Sequence, residues 1–576
     1  MISTYDKHPF VAVTASHDEC LVGWPAIGAR LSTDAPLTIC VECYPGVFID
    51  EVAHGLAAAF TGARVVLASA CFKGDEEIDR LLAPYLTSDP VFGRMNAIRI
   101  DDLLDPARTI AMREDIDRSR RTTVVIGAGA ALIVPDPDVL VYADMARWEL
   151  QMRQRRNEIG NLGTASLSEP AGLKYKRAFF VDWRAADRLK RQLFPRIDFL
   201  LDTNERDSPK LISGDVFRRA LQQIAKRPFR VVPFFDPGPW GGQWMRSVCD
   251  LPDGPPNYAW CFDCVPEENS LLLGFGRHRV EVPAIDLVFF QPRDLLGDAV
   301  HARFGTEFPI RFDFLDTMAG GNLSLQVHPL TEYIQDAFGL HYTQDESYYL
   351  LDAADDAVVY LGLKEGVDRT EMLDLLRQAQ EGDCAFPAER FVNAWPARKH
   401  DHFLIPAGTI HCSGRNSMVL EISATPYIFT FKLWDWDRMG LDGRPRPIHL
   451  DHGEANIQWD RTTAWVRTNL VNRIEATGQG EGWCEERTGL HEREFIETRR
   501  HWFTDRVPHD TGSGVNVLNL VEGPEAIVES PENAFEPFVV HYAETFIVPA
   551  AVGRYTIRPG QPGRCATIKA YVRTNP

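Results

Sequence analysis

The chain changes texture once, near Pro228, and that break constrains its architecture more than any other feature. Up to about residue 225, short apolar runs alternate with helical stretches: PLTICVEC (Pro36–Cys43), a helix from Glu51 (EVAHGLAAAF), ARVVLASA (Ala63–Ala70) and TTVVIGAGAALI (Thr122–Ile133). Parallel strands need long crossover connections, usually helices, so this alternation predicts an α/β domain on a parallel sheet. At RPFRVVPFFDPGPWGGQWM (Arg227–Met245) proline, glycine and aromatic residues crowd together and helical periodicity stops. From Tyr258 onward short strands follow one another (YAWCFDCV, SLLLGF, HRVEV, DLVFF), with the spacing of an all-β sandwich or barrel. Only RTEMLDLLRQAQ (Arg369–Gln380) reads as helix there, and the tail returns to strands in VNVLNLVEG and HYAETFIVPAAVGRYTI. The expected division is an α/β domain over 1–225, a mostly-β domain over 226–480 with a helical insertion near 366–395, and a second small barrel over 481–576. A chain of 576 residues at roughly 150 per domain is long enough for all three.

Charge and cysteine usage narrow the partners. With 81 acidic against 61 basic residues the formal charge is −20, the wrong sign for releasing counterions from a phosphate backbone, so nucleic acid and anionic membrane are not expected partners. No run approaches the roughly 18 apolar residues of a membrane span, and MISTYDKHPFVAV lacks a basic n-region and a small-residue cleavage site. A cytoplasmic protein is expected. The 11 cysteines are odd in number and scattered; the CxxC-spaced pairs Cys40/Cys43 and Cys261/Cys264 lie in β-rich text far from each other, so reduced core cysteines are expected rather than a zinc ribbon.

Two features of the first domain invite an anion. The strand ending at Ile126 runs into Gly127-Ala-Gly129-Ala-Ala-Leu132, a glycine turn whose backbone N–H groups can cradle phosphate or simply let the chain pack. It lacks the Gly-Lys-Ser/Thr of a P-loop, so phosphoryl transfer is not expected. A basic stretch from Arg147 (RWELQMRQRRN) through Lys174 (KYKRAFFVDWRAADRLKRQ) is either an anion site or a solvated, salt-bridged helix face.

The densest chemistry lies in the mostly-β part. Gln326 and His328 alternate along one strand and so face the same side. Glu346 begins another strand (DESYYLL), and the turn Ile405-Pro-Ala-Gly408-Thr-Ile-His411 delivers His411 from a third. Two imidazoles, a carboxylate and an amide oxygen form a mixed N/O set suited to Zn²⁺ or another divalent ion, with a position left for substrate. One ion per chain is expected. His341, five residues before Glu346, is an added imidazole that can replace Gln326 as ligand or serve in the surrounding loop.

These segments resemble the class I mannose-6-phosphate isomerases. The matching stretches are WGG (Trp240–Gly242), NLSLQVHP (Asn322–Pro329), DESYYLLDA (Asp345–Ala353), IPAGTIH (Ile405–His411), VLEI (Val419–Ile422) and KLWDWDR (Lys432–Arg438), with FIVPAAVGRY further on. The resemblance implies a double cupin (jelly-roll) region behind the α/β domain, with Gln326, His328, Glu346 and His411 as zinc ligands and Ser324 as a phosphate contact. It also implies that Lys432 stands where the family carries a catalytic arginine. The chain departs from the family in having Gln344 where a lysine is usual, and Leu330-Thr331 where Asp-Asp or Asp-Lys often follows the His-Pro. The first 225 residues resemble the nucleoside-kinase-like part of long forms of the family, read here as a degenerate nucleotide-binding or structural domain.

An aldose–ketose isomerase moves a proton between C1 and C2 and needs an electrophile for the oxygens together with a proton carrier. Glu421 and Lys432 are the candidates for proton handling, or else a charge pair with each other; Arg438 is the further cation expected to assist, by holding the phosphate. The expected reaction converts mannose 6-phosphate to fructose 6-phosphate, the small-molecule sugar phosphate being the partner. A metal-containing sugar-phosphate sensor without turnover and a cupin oxygenase are the rival readings.

Overall fold

The computed structural model describes residues 3–573 apart from 15–18, 33–34, 61, 426, 428, 442, 444–445, 490 and 493. The chain divides into two compact units. One comprises 10–223 together with 270–290; the other comprises 1–9, 224–269 and 291–576. The texture break near Pro228 therefore lies close to a unit boundary, but the expected domain limits at 225 and 480 miss two things. The segment 270–290 returns to the α/β unit, and both β-regions belong to one unit.

The α/β unit is built on a seven-stranded sheet in the order 20–22, 210–213, 199–202, 139–144, 38–43, 123–127, 64–67. From Phe199–Asp202 across to Arg64–Leu67 the strands are parallel, and the first two are antiparallel additions. The continuous apolar run Thr123–Gly127 is buried at every position, as a strand covered on both faces must be. From the central strand Thr38–Cys43 the chain first fills one side of the sheet, with 64–67 and 123–127, and then the other, with 139–144 and 199–202. Residues 270–275 and 278–283, expected as barrel strands, instead pair with Phe10–Ala12 in a three-stranded sheet, and DLVFF is helical over Ile285–Phe290. A strand read from period alone carries no information about which sheet it joins.

The structure corrects both anion readings of this unit. The amides of Gly129 and Ala131 donate to the Glu42 carboxylate at 2.7 and 2.8 Å, so a side chain of the protein already occupies the turn. Much of the basic stretch is buried rather than solvated, Arg155, Arg156 and Arg191 being exposed. Arg147 pairs with Asp187 at 2.6 Å, Lys190 lies between Asp144 (2.8 Å) and Asp286 (2.9 Å), and the Lys174 ammonium donates to Asn157 Oδ1 at 2.7 Å. Buried charges persist only when paired, and these cations are consumed internally.

The other unit contains two pairs of antiparallel sheets. In the first pair, a six-stranded sheet ordered 402–405, 345–353, 417–424, 311–316, 260–264, 234–236 accompanies a five-stranded sheet ordered 392–396, 358–363, 411–413, 325–327, 431–434. The second pair combines six strands between 475 and 572 with four strands between 507 and 559 around an apolar core that includes Phe503, Leu518, Val528, Phe546 and Ile557. The helical insertion appears as Arg369–Glu381 and Ala388–Phe391. Sequence reading missed further helices, among them Thr331–Phe338, Leu450–Asn456 and Thr463–Asn469, whose short apolar spacings lie below the length at which helical period is legible. All eleven cysteines are free, and the four with CxxC spacing are buried. No helix among the described residues is long and apolar enough to cross a membrane.

Candidate metal centre

Strand register brings the candidate residues together. In the five-stranded sheet Gln326 lies opposite His411 on one side and Lys432 on the other, so the three share a face. His328 lies two residues along from Gln326, just past the strand Leu325–Val327. Glu346 comes from the six-stranded sheet, where it lies opposite Ile405 and Ser423. The turn before His411 depends on Gly408, whose φ of 86° and amide donation to the His328 carbonyl (3.0 Å) close it; a Cβ there would lie 2.6 Å from Gln458 and 2.9 Å from a backbone oxygen.

His328, Glu346 and His411 are wholly buried, and their donor atoms lie within 4.8 Å of one another. His411 Nε2 is 2.8 Å from Glu346 Oε1, and His328 Nε2 is 3.1 Å from Oε2. Each imidazole turns its Nδ1 to a backbone carbonyl, that of Phe429 for His328 (2.7 Å) and that of Thr409 for His411 (2.8 Å). A carbonyl only accepts, so Nδ1 carries the proton and Nε2 presents a lone pair. Lone pairs on nitrogen then face lone pairs on a carboxylate, and His328 Nε2 and Glu346 Oε1 have no hydrogen-bond partner. A cation between them resolves that conflict, and the set has the composition of a divalent-metal site. Burial is the largest influence on Glu346 and would raise its pKa; only positive charge at the His328 and His411 positions outweighs it and holds the carboxyl well below its ordinary value.

Gln326 Nε2 lies 3.2 Å from His411 Nε2, and turning the amide over presents Oε1 at the same place. Gln344, which sequence reading treated only as a missing lysine, donates to Glu346 Oε2 at 3.1 Å and accepts from the Phe429 amide at 2.8 Å. His341 is exposed and stands outside the buried group, whereas Leu330-Thr331 leads into the helix Thr331–Phe338.

Beside the centre lies a cationic cluster. Ser324 Oγ donates to Asp435 Oδ1 at 2.7 Å; Arg438 reaches the same oxygen at 2.7 Å, and Arg446 approaches Asp435 at 3.1 Å and Ser324 Oγ at 3.2 Å. Burial, then the Arg446 charge, pushes the Lys432 amine down to about 7. Asp435 and Arg446 were missed in sequence, although Asp435 stands inside the DWDR motif. Glu421 projects from the six-stranded sheet toward Glu346, Asp313 and Arg311, whereas the charged neighbours of Lys432 are Arg446, Asp435 and Arg438. Burial, then the carboxylates of Glu346 and Asp313, pushes Glu421 well above its ordinary value. The expected Glu421–Lys432 alternative of a charge pair is not what surrounds either group.

Comparison with known proteins finds one family model and several relatives. Residues 23–226 match the family model described as Domain of unknown function (DUF8485). Over 214 residues the chain is 27% identical to a mannose-6-phosphate isomerase of Streptococcus mutans, covering 37% of this chain and 62% of that protein. Over 233 residues it is 29% identical to the mannose-6-phosphate isomerase ManA of Bacillus subtilis, covering 39% of this chain and 67% of that protein. The chain thus spans about two thirds of the length of these curated relatives. A crystal structure of the mannose 6-phosphate isomerase from Bacillus subtilis aligns with 60% of this chain and all of its own, at 18% identity and a TM-score of 0.49.

Proposed function

We propose that the chain is a metal-dependent aldose–ketose isomerase of a sugar phosphate, with mannose 6-phosphate and fructose 6-phosphate the first pair to test. The observation that carries this reading is the buried His328–Glu346–His411 group, whose lone pairs converge on one point next to Lys432 and the Arg438–Arg446 cluster. A divalent ion held by these three residues and Gln326 would supply the electrophile that polarises the carbonyl and hydroxyl oxygens of the substrate.

The chain's own residues do the rest. Gln344 fixes the rotamer of Glu346, and the Phe429 and Thr409 carbonyls fix the tautomers of the two imidazoles. Lys432, with its amine near neutrality, takes and returns the proton that moves between C1 and C2, or stabilises the charge that develops on the adjoining oxygens; Glu421, buried near Glu346, is the second group for proton handling. Arg438 and Arg446 outnumber Asp435, so the cluster has an excess of positive charge that a phosphate dianion complements, with Ser324 as a hydroxyl contact. The similarity to named isomerases supports the same reading. The neutral Gln344 leaves a sugar-phosphate sensor as the second reading.

His411→Ala tests the centre. The variant is expected to keep its circular-dichroism spectrum and to lose both bound metal, measured by elemental analysis, and isomerase activity. Stoichiometric metal in the folded variant would overturn the assignment.

A further inference from the structure

The α/β unit contains a cleft that the chemistry above leaves unused. Its volume is about 1420 Å³, and Cys43, Leu67 and Gly127, the last residues of three parallel strands, line its floor. The central strand among them is where the winding of the sheet reverses, and open α/β sheets take their ligands outside the carboxyl ends of strands at such a reversal. A usual small-molecule pocket is roughly 300–1,000 Å³, so there is room for a whole metabolite.

The lining favours one chemistry over another. Phosphate is poorly served. The glycine-turn amides are committed to Glu42, and the Tyr44–Phe48 turn after the central strand has no Gly-Lys-Ser/Thr. Five carboxylates (Asp50, Glu51, Asp75, Glu158 and Asp207) line the cleft against three cations (Lys73, Arg108 and Arg206). Rings are well served. Trp24 and Phe72 line the walls, while the Phe48 ring already carries Arg206 at 4.0 Å and Arg153 at 3.9 Å. Leu67 leaves 37% of its surface exposed at the end of its strand and gives the cleft an apolar contact. Asp50 and Asp207 are exposed carboxylates able to accept from hydroxyl groups.

We propose that this cleft is a second binding site, for an uncharged ring compound bearing hydroxyl groups, a nucleoside or a free sugar, and that it discriminates against the phosphate esters of such compounds. The walls stack on the ring, the carboxylates take the hydroxyl protons, and the same carboxylates repel a phosphate.

Calorimetric titration of the full chain tests this with adenosine, guanosine, uridine, cytidine, mannose and fructose, each beside its phosphate ester. The diagnostic component is the binding lost in both Leu67→Arg and Asp50→Arg, two substitutions at exposed positions, with unchanged melting confirming the fold. The expected result is such a component for a phosphate-free compound, weakened at least tenfold by either substitution and at least tenfold weaker for the ester. Nucleosides alone or sugars alone showing it would identify the class. A component that prefers the ester, or no component sensitive to both substitutions, would overturn the proposal.

Discussion

Both imidazoles of the centre give their Nδ1 protons to backbone carbonyls, so the lone pairs that face Glu346 are set by the fold before any ion arrives. The partner of Glu346 is Gln344, and removing a group that orients a metal ligand typically costs 10–100-fold in affinity. Gln344→Ala is therefore expected to weaken metal binding about 10- to 100-fold, read by chelator competition; unchanged affinity would deny Gln344 a positioning role. Lys432 adjoins Gln326 in register but belongs electrostatically to the Arg438–Arg446 cluster. Lys432→Ala is expected to lower turnover on the order of 10²- to 10³-fold with metal content unchanged, the loss of one charge contact in a buried site; a parallel loss of metal would make its role structural. The candidate ligands were legible in sequence because alternation along a strand puts Gln326 and His328 on one face. Gln344, Asp435 and Arg446 were not, because Gln344 is fixed by Phe429, 85 positions away, and Asp435 and Arg446 meet Ser324, 111 and 122 positions away.

At the scale of elements, the strand Thr38–Cys43 and the turn after Thr123–Gly127 are tied by Glu42. Burial pushes its carboxyl up to about 7, although the Ala131 and Gly129 amides pull it down. The folded value lies above the unfolded one, so the stability this group contributes is fully present below pH of about 4.5 and is lost as the pH rises to about 7. The size of that loss is roughly 3 kcal/mol. Glu42→Gln cannot ionise, and its amide turns an N–H toward an N–H that the carboxylate accepts, a cost that does not vary with pH. Relative to this variant, the wild-type α/β unit should lose thermal stability between pH 4.5 and 7; parallel melting curves across that window would contradict the assignment. The turn itself was legible from its glycines, but what fills it was not, since Glu42 is 87 residues from Gly129. The same limit explains 270–290: the strand period is visible in SLLLGF and HRVEV, but the partner strand at Phe10–Ala12 lies some 260 residues earlier.

Over the whole molecule, the texture break separated an α/β unit from a unit of paired antiparallel sheets, and each holds its own candidate site: a buried N/O centre in the one and a ring-lined cleft in the other. The buried N/O centre is the site proposed to turn over substrate. Its most direct test is proton NMR of the metal-loaded full chain with mannose 6-phosphate in D₂O. Formation of fructose 6-phosphate with exchange of the C2 proton is expected, both lost in His411→Ala. Protein that carries its ion but exchanges the C2 proton of no hexose or pentose phosphate, nor of the free sugars, would contradict the isomerase reading.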